Sequence, residues 1–157
     1  MASLSQRIPS VVLNTTFTHE IQHYVFGDLS PEICREIWKD GRPFSHFIEK
    51  YIAQRYPLIH VPGCKSHDFV DEQDATILYD EKTFTSRGCS FCPSNMLGQG
   101  REFDNERFIS HCQKLIFCIV SNIDFPTIKI KFVKGEDLRN KYPSGKIPSS
   151  DFVEFFH

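Results

Sequence analysis

The chain has no long hydrophobic run. Its most continuous apolar stretch, "LIFCIVS" at 115–121, falls far short of the roughly 20 residues that a membrane-spanning helix needs. Internal repeats, low-complexity tracts and linkers are absent too, which excludes solenoids and fibrous arrays. The charge balance is nearly even, −2 over 157 residues, so no general attraction to nucleic acid or membrane follows from net charge. The opening "MASLSQRIPSVVLNTT" offers only "VVL" where a secretory signal would need a longer apolar core. A cytoplasmic protein is expected, with its six Cys as reduced thiols. What is abundant is phenylalanine: fifteen Phe within a 40% hydrophobic composition predict a packed globule, one domain over 1–157.

Periodicity supplies the elements. "SPEICREIWKDG" reads as a helix with Ser30 as N-cap, Pro31 at the first helical position and Gly41 as terminator. "PFSHFIEKYIAQRYP" repeats Phe44, Phe47, Ile48, Tyr51 and Ile52 at helical spacing. "LIHVPG" is extended, "HDFV" and "TILYDEKTF" are strands joined by the turn "DEQDA", and "EFDNERFISHCQKL" is helical. "IFCIVS" and "TIKIKFV" are strands, the first apolar throughout and so central. The fold class expected is α/β, a central mixed sheet flanked by helices.

"KSHDFVDEQDATILYDEKTF", residues 65–84, concentrates six carboxylates between Asp68 and Glu81 and then closes with Lys82. Alternation along the second strand puts Asp80 and Lys82 on one face, and Asp68 can sit opposite them across the turn. Two carboxylates a few ångströms apart repel unless one is protonated or a cation lies between them. Oxygen ligands of this kind suit Mg²⁺, which keeps several waters and takes phosphate oxygens as further ligands. A lysine beside them can hold a nucleophilic water or stabilise charge on a phosphate. The expected catalytic residues are therefore Asp68, Asp80 and Lys82. Asp74 could replace Asp68 as first carboxylate. Asp68 is preferred because Asp74 leaves five residues before Asp80, too few for two strands and a turn. Asp71, Glu72 and Asp74 then read as solvated turn charges. Further on, Lys129, Lys131, Lys134, Arg139, Lys141 and Lys146 fall within eighteen residues, a basic section able to meet a polyanion.

Asp68, eleven intervening residues, then Asp80-Glu81-Lys82 resembles the D…(D/E)-X-K signature of the PD-(D/E)XK nucleases, with His67 where Pro often stands. The size, the hairpin, the following helix and strand, and the segment "GKIPSSDFVEFF" resemble the small PvuII-like type II restriction endonucleases. The resemblance covers roughly 43–156. It implies a restriction-endonuclease-like core and site-specific, Mg²⁺-dependent cleavage of double-stranded DNA, with Mn²⁺ able to substitute. The implied metal ligands are Asp68, Asp80 and the Glu81 backbone carbonyl, with Glu49 on the preceding helix as a further one. It also implies that the loop after the catalytic strand, "TSRGCSFCPSNMLGQGR", faces the DNA grooves. Arg87, Ser94, Asn95, Gln99 and Arg101 are its candidate base readers, with Lys129 and Lys131 as phosphate contacts. A homodimer would match a palindromic site, the N-terminal part, about 1–57, contributing to dimerisation.

Two zinc readings compete. "HEIQH", His19 to His23, matches the H-E-x-x-H pattern of zinc proteases, with Glu20 as base, though its helix would be short and Phe26 stands where the longer pattern needs Gly. Cys89 and Cys92 of "CSFC" with His111 and Cys112 could close a structural zinc site, as in a non-catalytic zinc-containing DNA-binding protein.

Overall fold

The computed structural model describes residues 7–64, 66–97 and 99–157. Helix α1, Pro31–Lys39, starts as its sequence suggests. Ser30 Oγ accepts the Ile33 N–H at 3.3 Å, and Pro31 fills a position whose N–H would have no intrahelical partner. The Asp40 carboxylate then accepts the Arg42 N–H at 3.0 Å and opens α2, Gly41–Arg55. Gly41, expected to end the first helix, thus begins the second, because Asp40 serves as C-cap of one and N-cap of the next.

From α2 the chain enters an antiparallel meander of β2 (Leu58–His60), β3 (Phe69–Asp71) and β4 (Leu78–Phe84). After β4 come the two-residue strand β5 (Cys89–Ser90), a 3₁₀ turn at Ser94–Met96 and helix α3 (Asn105–Lys114), capped by Asp104. Strand β6 (Leu115–Ser121) returns parallel to β4, with Leu78 opposite Leu115 and Phe84 opposite Ser121. Strand β7 (Thr127–Lys134) lies antiparallel beside it, followed by α4 (Gly135–Lys141), β8 (Lys146–Ile147) and the short α5 (Phe152–Phe155). An N-terminal strand, β1 (Thr16–Glu20), completes a mixed six-stranded sheet of order β1-β7-β6-β4-β3-β2, while β5 and β8 pair separately. The fold is α/β, and β6 is an interior strand. No helix of the described residues is long and apolar enough to cross a membrane.

Both faces of this sheet are covered, which explains the unbroken apolar sequence of β6. On one face Phe44, Ile48 and Ile52 of α2 pack against Cys118, Val120, Ile130 and Phe132. On the other, Phe108 and Cys112 of α3, Leu138 of α4 and Phe155 of α5 pack against Phe84, Phe117 and Ile119. Strand β4 runs between the two layers, so successive side chains along it face different helices.

The segment "HEIQH" departs from the sequence reading. His19 and Glu20 lie in β1, paired with Ile128 and Thr127, and His19 Nε2 is 2.6 Å from the Tyr56 hydroxyl. A helical turn is needed to bring His19 and His23 close together on one face; here β1 ends at Glu20 and no helix spans the two, so the zinc-protease arrangement does not form.

Candidate active site

Strand β3 ends early beside β4. Phe69 pairs with Tyr79, yet Asp68 also donates its N–H to the Tyr79 carbonyl at 2.9 Å, an offset of one residue that bulges β3 and turns Asp68 out of the ladder. Beyond that point the Glu81 N–H has no strand partner, and the Asp68 carboxylate accepts it at 2.8 Å. A residue's N–H and C=O point to the same side of a strand, so the Glu81 carbonyl opens into the same gap. Asp80 and Lys82 share the face of β4 that looks toward α3, with Lys82 Nζ 3.3 Å from Asp80 Oδ2. Glu81 and Thr83 point to the α2 side, where the Thr83 hydroxyl donates to Glu81 Oε1 at 2.8 Å and meets Ser45 Oγ at 3.4 Å. Glu49, on α2, is 3.2 Å from His60 Nε2.

These groups line one cleft of about 910 Å³. Its floor holds Asp68, Asp80, Glu81 and Lys82, with Glu49 at one flank. The opposite wall is α3, contributing Arg107, Ser110, His111 and Lys114, and the rim includes Ser94, Asn95 and Met96 of the 3₁₀ turn.

The electrostatics follow from burial and crowding. Burial, then the neighbouring Asp80 carboxylate within hydrogen-bonding reach, pushes Asp68 up to about 6. Glu49 is raised by burial and by Asp68. Burial holds Glu81 well above the usual carboxylate range, and the Thr83 hydroxyl, which donates to it, partly offsets this. Burial pulls Lys82 down, but Asp80, Glu81 and Asp68 outweigh it and keep the ammonium above its ordinary value. His111 goes the other way, pushed down to about 4 by burial, Lys82 and Lys114.

Among the described residues, no group of three or more His, Cys, Asp or Glu side chains is arranged to hold a metal ion. A hard cation that keeps its own waters asks for less. One or two carboxylates and a carbonyl suffice for Mg²⁺, and Asp68, Asp80 and the Glu81 carbonyl are a set of that kind. Burial raises Asp68 and the Asp80 carboxylate raises it further; a cation between the two carboxylates would relieve that repulsion. The thiols fit zinc less well. Cys89 and Cys112 are buried, burial pushes the Cys112 thiol up to about 12, and the Cys92 thiol donates to the Ser144 and Gly145 carbonyls at 3.6 and 3.7 Å. A zinc ligand must be a thiolate, and this environment favours the thiol.

The remaining sequence candidates scatter. Asp74 sits exposed in the turn, where its carboxylate accepts the Thr76 N–H at 3.0 Å and the Thr76 hydroxyl at 2.6 Å. Ser94 and Asn95 reach the cleft; Arg87 is exposed at the turn after β4, and Gln99 is exposed in the following loop. Arg101 folds back on its own loop, donating to the Ser94 and Leu97 carbonyls at 2.6 and 3.3 Å. Lys129 lies over the Phe152 ring, and Lys131 donates to the Phe155 carbonyl at 2.6 Å, both away from the cleft. The α3 wall is what sequence reasoning missed. Its signal was available: 107, 110, 111 and 114 recur at i, i+3, i+4 and i+7. No family model matches this chain, and neither a curated protein nor a solved structure matches it.

Proposed function

We propose that the chain is a small type II restriction endonuclease of the PD-(D/E)XK kind, hydrolysing phosphodiester bonds of double-stranded DNA at a short specific sequence with Mg²⁺, or with Mn²⁺ in its place. The observation that carries this reading is the meeting of Asp68, Asp80 and Lys82 where β3 parts from β4. The order α2, β2, β3, β4, α3, β6 supports it: a helix, a three-strand antiparallel meander, a helix, and a strand parallel to the last of the three.

Asp68, Asp80 and the Glu81 carbonyl would hold the ion, with Glu49 behind them. Bound there, the ion supplies positive charge to a phosphoryl oxygen and lowers the pKa of a coordinated water. The chain's own groups do the rest. Asp80 keeps the Lys82 ammonium charged and in place, and from there it can hold the attacking water or stabilise the charge that builds on phosphorus. Ser94 and Asn95 at the rim, with Arg87 and Gln99 nearby in sequence, are the candidate readers of base edges. A homodimer would present one cleft to each strand of a palindromic site. Val25, Phe26, Leu29 and Ile33, exposed before and on α1, are apolar surface in the N-terminal part from which dimer contacts would come.

Incubation of the purified protein with phage DNA of known sequence tests this. Discrete fragments should form with Mg²⁺, not with EDTA, and both Asp80→Ala and Lys82→Ala should abolish them. Intact DNA under Mg²⁺ and Mn²⁺ alike, or full activity in Asp80→Ala, overturns the assignment.

A further inference from the structure

The wall of α3 facing the carboxylates is built for a ligand of opposite sign. Phe108 and Cys112 anchor the helix in the core, which fixes Arg107, Ser110, His111 and Lys114 toward the cleft. Arg107 and Lys114 are seven helical steps apart, about 10 Å along the axis, enough to span more than one phosphate of a strand. Both cations are exposed, and among the described residues neither has an ion-pair or hydrogen-bond partner for its side chain. Between them His111 Nε2 is buried and makes no hydrogen bond. Buried polar atoms are nearly always paired, and an exception points to a partner that arrives with a ligand or water. Lys129 and Lys131 of β7 lie outside the cleft and are engaged by the aromatic C-terminal helix.

We infer that this face of α3 is the phosphate-binding wall of the cleft: Arg107 and Lys114 hold backbone phosphates flanking the one to be cut, with Ser110 and His111 hydrogen-bonding between them. The inference rests on the nuclease reading for the identity of the polyanion. It moves the sequence-independent contacts from β7 to α3, so the helix sets where the backbone lies while β4 acts on it.

The test is binding of a labelled duplex of random sequence in Ca²⁺, over a range of salt, for wild type, Arg107→Ala, Lys114→Ala, His111→Gln, His111→Leu and Lys39→Ala. Each loss of a phosphate contact should reduce the log–log salt slope by about 0.9. Arg107→Ala and Lys114→Ala should each show that reduction. Lys39→Ala, which removes the same charge from the end of α1, should not. His111→Gln, which keeps a donor, should bind better than His111→Leu. Unchanged slopes for Arg107→Ala and Lys114→Ala, while wild type binds and cuts, overturn the inference alone. A wild type that neither binds nor cuts removes the nuclease reading and the inference with it.

Discussion

Asp80 and Glu81 are neighbours on one strand, both more than 90% buried, and their chemistry diverges because β4 alternates between two layers. Asp80 turns toward α3, pairs with Lys82 and crowds Asp68. Glu81 turns toward α2, where burial raises its carboxyl pKa and it accepts the Thr83 hydroxyl. Its contribution to the cleft is then its backbone carbonyl, which a side-chain change leaves in place. On the nuclease reading, Glu81→Gln should therefore retain cleavage, the amide oxygen replacing the carboxyl oxygen as acceptor of the Thr83 hydroxyl. Asp80→Asn should lose about 100-fold or more, the scale of removing a charged group that acts at the reacting centre. Rates on a defined substrate separate them, and a Glu81→Gln protein as inactive as Asp80→Asn would place the essential group on the wrong side of the strand. The D-E-K order made this alternation legible in the sequence. The bulge that turns Asp68 toward Asp80 was not, because neither Gly nor Pro marks it.

Helix α3 carries one wall of the cleft, and its position depends on a residue outside it. Gly135 opens α4 directly against the end of α3, and a Cβ there would collide with the Cys112 and Leu115 carbonyl oxygens. Gly135→Ala should cost about 1–3 kcal/mol, the usual penalty for overpacking, and should weaken DNA binding as α3 is displaced. Urea denaturation measures the first; a midpoint equal to wild type would mean that α4 can shift freely. Elements with strong local patterns, α1 to α3, β4, β6 and β7, were legible because capping and periodicity act within a few residues. Strand β1 was not. "TFTHE" is short, and what makes it a strand is pairing with β7 more than 100 residues away. The contacts of Lys129 and Lys131 were not legible for the same reason: they come from the distant "DFVEFF" segment. The α3 wall was overlooked because a polar helix face facing a cleft has the same sequence as one facing water.

At the scale of the whole molecule, the crowded carboxyls of the cleft cost stability. Asp68 rises from 3.8 to about 6 on folding, and Glu49 and Glu81 move in the same direction. A carboxyl whose folded pKa is raised binds more protons in the native state than in the unfolded one. Unfolding free energy then falls as pH rises, for Asp68 between about 4 and 6, and the full cost is present at neutral pH. Asp68 keeps some solvent contact, so the cost to be expected is on the order of 1–2 kcal/mol rather than the whole shift. Asp68→Asn removes that charge while its side-chain oxygen can still accept the Glu81 N–H. The variant should melt a few degrees above wild type at pH 7.5 without divalent ions, and the difference should close below about pH 4. Ca²⁺, binding the native cleft alone, should raise the melting temperature of wild type and have much less effect on Asp68→Asn. An Asp68→Asn protein no more stable than wild type at neutral pH would mean that neither burial nor the neighbouring Asp80 penalises the Asp68 charge in the free protein. Equal Ca²⁺ stabilisation of both would place the cation elsewhere. The combination expected, a more stable protein that no longer cuts, is what a site made of like charges awaiting a cation should give.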